Sequence, residues 1–166
     1  MTSNRPSRPH RPGRPSLDIL GPDDLPAIAT IERLVFPEPL SLAEVIRLWA
    51  SLSTVYVGIH DEGRLAAYFG FEIHGPTAHV VANATHPDFR RRGYASRVLR
   101  EAEAIARSRG ARWFVGEVRR SNTPQRRVLA RLGWQEIGIC PAFFGNGEDG
   151  YVVWHLLPDP QSNEGD

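Results

Sequence analysis

The chain contains no lysine; all 20 of its basic residues are arginine. It can therefore carry neither a Schiff-base lysine nor an acetylated one, and the bias itself reads as the codon usage of a GC-rich genome. Cysteine is nearly absent too. Cys140 is the only one, so no internal disulfide can form, which suits a reducing cytoplasm. No apolar run approaches the roughly 20 residues of a membrane span. The basic N-terminus has no apolar stretch behind it, so no secretory signal is expected. The body of the chain also lacks an excess of either charge. Arg5, Arg8, Arg11 and Arg14 have no acid near them, and Asp159, Glu164 and Asp166 close the chain. Between residues 17 and 158 the charges cancel, within a net charge of +1. A general nucleic-acid binder needs a basic excess, so none is expected for the folded part.

The 166 residues suit one domain with a full core. Residues 1–16 repeat Arg-Pro every three positions, a spacing that favours polyproline II with its arginines on one side. We expect a disordered extension there; an arm touching an acidic surface or RNA is the alternative. Residues 159–166 read as a disordered acidic tail, which leaves 17–158 as the domain.

Within it, 17–20 alternates as a short strand before Gly21-Pro22. Asp23 is the expected cap of a helix carrying Leu25, Ile28, Ile31, Leu34 and Val35 at helical spacing. Pro37 and Pro39 break that helix, and Ser41 caps a second. Strands are predicted over 54–60, 65–73 and 78–85, joined by turns at 61–63 and 74–76. A loop over 86–92 leads into a helix over 93–109, ended by Gly110. A strand over 112–118, a helix over 122–132 and strands over 134–140 and 151–156 complete the domain.

The stretch Arg90-Arg91-Arg92-Gly93-Tyr94-Ala95-Ser96 lies between a predicted strand and a predicted helix. The first turn of a helix has unpaired N–H groups and the positive end of a dipole. Gly93 lets backbone approach a ligand closely, and small Ala95 leaves room beyond it. This is an anion cradle sized for a pyrophosphate. Taken alone, the same letters describe a basic loop whose glycine starts a helix.

Four blocks, in order, widen the argument: Ile31-Glu32…Phe36-Pro37; the run from His86 to Ala95; Glu117-Val118-Arg119-Arg120-Ser121-Asn122; and Leu132-Gly133-Trp134. Here the sequence resembles the GCN5-related N-acetyltransferases (GNAT), and among them the bacterial ribosomal-protein alanine N-acetyltransferases. The resemblance implies an α/β (α+β) fold with a mixed, mostly antiparallel sheet of about seven strands. That sheet is splayed between its fourth and fifth strands and has helices on both faces. It implies acetyl-CoA as co-substrate, held by Asn83, Ala84 and Thr85, by Arg90, Arg91, Arg92, Gly93, Tyr94, Ala95 and Ser96, and by Asn122. The bland reading of Asn122 is a helix N-cap, and one residue can do both.

By the same resemblance Glu117 is the catalytic base, since an ammonium must lose a proton before it attacks a thioester. Its alternative is a strand-end carboxylate paired with Arg119 or Arg120. Glu32, Phe36, Phe143 and Phe144 are the implied substrate contacts. The implied reaction moves an acetyl group to a primary amine, of a protein N-terminus or a small molecule, in a monomer or homodimer. Two departures from the family pattern stand out. Leu129 occupies the place of a tyrosine that protonates the leaving thiolate, and leucine has no proton to donate. Phe143-Phe144 stands where N-terminal acetyltransferases have a tyrosine pair, giving an apolar wall without hydroxyls. They motivate an alternative function, a catalytically weak acetyl-CoA-binding module acting through a partner. His74, His79 and His86 are scattered, without a cysteine or carboxylate cluster, so no metal site is expected.

Overall fold

The computed structural model describes residues 14–159. Residues 1–13, with most of the Arg-Pro repeat, and residues 160–166 lie outside the described residues. The elements run β1 (Ser16–Ile19), α1 (Leu25–Val35), α2 (Leu42–Trp49), β2 (Thr54–Asp61), β3 (Arg64–His74), β4 (Thr77–Thr85), α3 (Tyr94–Ser108), β5 (Trp113–Arg119), α4 (Thr123–Arg131), β6 (Gln135–Cys140) and β7 (Gly150–Leu156). Each expected element is present, with ends within a residue or two of the sequence reading. Ser16 falls inside the expected extension yet pairs with His60, so the first strand starts one residue early. Asp23 does not cap α1. A short 3-10 turn at Pro22–Asp24 puts Asp24 in the cap position, and its carboxylate turns back to the Gly21 N–H at 2.9 Å. Ser41 caps α2 as expected, accepting from the Glu44 N–H in a reciprocal capping box.

One seven-stranded sheet holds these strands in the order β1-β2-β3-β4-β5-β7-β6. The final strand, β7, inserts between β5 and β6. Strands β1 to β4 form an antiparallel meander, and only β4 and β5 run parallel. Alternation along the buried strands, shifted where the β2–β3 and β3–β4 pairings bulge, sends side chains into two separate cores. Val57, Phe69, Phe71, Phe114 and Trp134 pack with Val98, Leu99 and Ala102 of α3 and Leu129 of α4 on one face. Tyr56, Tyr68 and Leu65 pack with Ile28 and Ile31 of α1 and Val45 of α2 on the other. The sheet is thereby fixed from both sides.

The feature that makes a site is the short β4–β5 pairing. It covers three residue pairs, Thr77–Trp113, Ala78–Phe114 and His79–Val115, and then stops. Two local causes are visible. A β-bulge leaves Val81 without a partner on β3, and a bulge bends its strand. Gly116 sits where the pairing ends; a Cβ there would stand 2.9 Å from the Cβ of Val80. The two strands can come this close only because residue 116 has no side chain, and beyond it they part.

Candidate active site

The parted ends of β4 and β5 enclose a cleft of about 300 Å³ that reaches both helical layers. Towards α1 and α2 it is walled by Glu32, Phe36, Glu38, Glu117, Arg119 and Phe144. Towards α4 it is walled by Asn122, Gln125, Leu129 and Trp134.

The α4 side opens towards the expected cofactor turn. Beyond His79 the β5-facing edge of β4 has no strand partner, so backbone groups along Asn83, Ala84 and Thr85 are released. A second, smaller depression is lined by these three residues, Ala95 and Gln125, and shares Asn83 and Gln125 with the cleft. It ends at the start of α3. There Gly93 takes a left-handed conformation, φ +75°, and gives the helix no side-chain cap. The helices α2 and α4 are capped by Ser41 and Asn122. By contrast, the first N–H groups of α3, at Tyr94, Ala95 and Ser96, have no side-chain cap, the arrangement that suits an anion. Arg91 is also left-handed, φ +63°, an uncommon conformation for a side-chain-bearing residue and one that concentrates at functional turns.

The three arginines of this turn do not act alike. Arg90 and Arg91 are exposed. Arg92 points back, pairing with Asp61 at 2.9 Å and Glu62 at 3.2 Å. Its guanidinium covers one face of buried Phe89 at 5.0 Å, as does that of Arg64. Tyr94 donates its hydroxyl proton to Asp61 at 2.6 Å, and this bond, with Arg92, holds the Asp61 carboxyl below its usual range. The side chains of Arg92 and Tyr94 therefore brace the turn against the β2–β3 hairpin. Asn122 caps α4 through its carbonyl oxygen, accepting from the Gln125 N–H at 3.3 Å, while it also lines the cleft.

The α1–α2 side is built of side chains. Among the described residues, Glu32 is the one charged residue that is buried, 2% exposed. The Tyr68 hydroxyl and the Leu40 N–H, at 3.0 Å, both donate to it. Burial nonetheless holds its carboxyl above the ordinary carboxylate range, and these bonds only partly oppose the effect. Arg119 reaches Glu38 at 3.1 Å and Glu148 at 3.2 Å, and lies 4.1 Å over the Phe144 ring. It ties the loop after α1 to the loop between β6 and β7. Phe144 borders the cleft. Phe143 packs edge-to-face on Phe144 from outside, 48% exposed, and does not line it. Glu117 bonds neither Arg119 nor Arg120; its carboxylate lies 3.0 Å from His79 Nε2.

The sequence pattern of the acetyltransferase (GNAT) family matches residues 25–134. The chain belongs to the GNAT family. It is an acyltransferase of the N-acetyltransferase type. A GNAT relative of Methanocaldococcus jannaschii, described as an uncharacterized N-acetyltransferase, is 24% identical over 137 residues, 82% of this chain and 88% of that protein. A Bacillus subtilis protein provisionally named [ribosomal protein bS18]-alanine N-acetyltransferase is 31% identical over 100 residues, 60% of this chain and 66% of that protein. The solved structure of Arabidopsis thaliana NAA60 in complex with acetyl-CoA shares the fold, with a TM-score of 0.79 at 16% identity, covering 87% of this chain and 99% of that one.

Among the described residues of this GNAT chain, no helix is long and apolar enough to cross a membrane. The residues that sequence reasoning missed are Glu38, Gln125 and the glycine at 116. Glu38 had no motif, only its place beside Pro37 and Pro39. Gln125 had a signal, one helical turn after Asn122. Arg119 was weighed only as a partner for Glu117, although its position two residues along one strand places both on the same face.

Proposed function

We propose that this enzyme transfers the acetyl group of acetyl-CoA to a primary amine by direct attack within a ternary complex. The observation that carries the reading is the cleft through the sheet, with Glu117 on one wall and the uncapped start of α3 beyond the other. The pyrophosphate is held by the N–H groups from Gly93 to Ser96, with Arg90 and Arg91 at the mouth. The pantetheine arm follows β4, its amides pairing with the released edge at Asn83 to Thr85 as an added strand would. Asn122 holds the cofactor beyond β5. The thioester then lies in the cleft, and the amine enters from the side of Glu32, Phe36 and Phe144.

Glu117 takes one proton from the ammonium, directly or through water. The freed amine attacks the thioester carbonyl, the C–S bond breaks, and the thiolate leaves. The nitrogen's second surplus proton goes to that thiolate through water, because Leu129 on the cleft wall donates none. A CoA thiolate is a good enough leaving group for this. The net change is ammonium plus acetyl-CoA to amide, CoA thiol and one released proton. A base on the cleft wall supports this over the alternative of a weak binding module.

The acceptor is a protein N-terminus or a small-molecule amine. The name of the Bacillus relative puts alanine-first peptides in the first group to test, while the Phe144 ring on the cleft wall favours small, partly apolar amines. A thiol-release assay with acetyl-CoA against alanine-first peptides, other peptides, polyamines and aryl-alkyl amines tests the reading. Release that depends on one of these amines is the expected result. Acetyl-CoA binding without release on any of them would overturn it.

A further inference from the structure

We infer that His79 is a positioning residue for Glu117, and that its ring carries the reaction's released proton from that carboxylate to solvent. The inference rests on the assignment of Glu117 as the base. Each turnover liberates one proton, and a Glu117 that keeps it cannot accept the next ammonium. The base therefore needs an exit that does not run back through the amine.

The geometry points to one. His79 Nε2 lies 3.0 Å from one Glu117 carboxylate oxygen and 3.4 Å from the other. No other side chain among the described residues bonds Glu117. The nearest cation on the same strand face, Arg119, is held by Glu38 and Glu148. His79 occupies the last residue pair before β4 and β5 part, opposite Val115. It does not line the cleft, so it stands behind the carboxylate rather than against substrate. Its side chain is 40% exposed and that of Glu117 is 20%, so the ring spans from the half-buried base towards water. An imidazole accepts a proton on one nitrogen and releases one from the other, which lets it pass charge across its width.

The other charged groups around the pair leave this role to His79. Glu72 lies opposite His79 on β3, but its carboxylate accepts from Thr54 and meets His74 at 3.3 Å. Across the cleft Glu32 is occupied by Tyr68 and Leu40, and Glu38 by Arg119.

Two variants of the full chain test the inference, with acetyl-CoA and whichever panel amine is turned over fastest. His79→Gln keeps an N–H donor for Glu117 but cannot carry a proton. Its kcat should fall on the order of tenfold, the low end for a positioned proton-transfer group. Both KM values should stay within about twofold, since neither substrate touches residue 79. His79→Ala should lose more, and added imidazole should restore part of its kcat, whereas Glu117→Gln should not respond to imidazole. Parental kcat in His79→Gln, or no imidazole response in His79→Ala, overturns the proton-carrying role. A parent that binds acetyl-CoA but acetylates no amine overturns the proposed function together with this inference, and is thereby distinct from failure of His79 alone.

Discussion

The two walls of the cleft are made of different material. Beyond the α4 side chains Asn122, Gln125, Leu129 and Trp134, the far wall is chiefly backbone: a released strand edge and an uncapped helix start, supplied by one nearly contiguous stretch from Asn83 to Ser96. The α1–α2 wall is side chains from four separate segments: Glu32 on α1, Glu38 after it, Glu117 and Arg119 on β5, and Phe144 before β7. A backbone wall asks only that certain residues be small or free of a cap, and it suits an invariant ligand. A side-chain wall can be rebuilt one residue at a time without disturbing the other, and it suits a ligand that differs between enzymes.

If that division holds, variants on one wall should leave the other ligand alone. Glu117→Gln has the largest expected effect: kcat falls by roughly 10²–10⁴ at neutral pH, and less as pH rises and the amine arrives deprotonated. The affinity for CoA, read by calorimetry, should not move; a parallel loss of CoA affinity would erase the distinction between the walls.

Gly93→Val strikes the backbone wall. No atom lies within 4 Å of the Cβ position, so the protein itself has room. The cost is a β-branched residue held at φ +75°, roughly 1–2 kcal/mol, and a side chain in the path of the anion. CoA binding should weaken by at least about tenfold, from the loss of about 1.4 kcal/mol or more.

Arg119→Met should act only on the other side. It frees Glu38, Glu148 and the Phe144 ring, so KM for the amine should rise by several-fold while KM for acetyl-CoA stays put. A change in the acetyl-CoA KM would show that the clasp supports both walls.

Glu32→Gln has the smallest effect and a definite sign. Burial holds this carboxyl above its ordinary value of 4.5, so the folded protein binds its proton more tightly than the unfolded chain does. The stability that follows is complete below about pH 4.5 and is lost as pH rises through the raised folded value. Glutamine at 32 lacks this dependence. The thermal midpoint of the parent relative to the variant should therefore fall between mildly acid and neutral pH.

The same division explains what was legible in the sequence. Alternation, caps and turn residues gave every strand and helix, because they are local. Ser41 and Asn122 are caps wherever their helices end up. The turn into α3 at Gly93 was legible for the same reason, since strand, glycine and helix follow one another in the chain. Legibility failed where distant segments meet. That Arg92 braces the turn from behind depends on Asp61, 31 residues away. That Arg119 grips Glu38 depends on a contact across 81 residues. The Phe143-Phe144 dipeptide was read as a unit, yet one ring borders the cleft and the other faces outward, a choice made by the loop's path and by Arg119 over Phe144.

The insertion of β7 between β5 and β6 has a consequence for how the protein is born. The strand carrying Glu117 gains its second neighbour only from residues 150–156, the last strand among the described residues. The meander from β1 to β4 can close earlier from nearby pieces, and such local contacts form fast. During synthesis the growing chain therefore has a finished half and a β5 with one bare edge, the kind of exposed strand that sticks to other chains. A chain stopped before Gly150 would leave that edge of β5 uncovered.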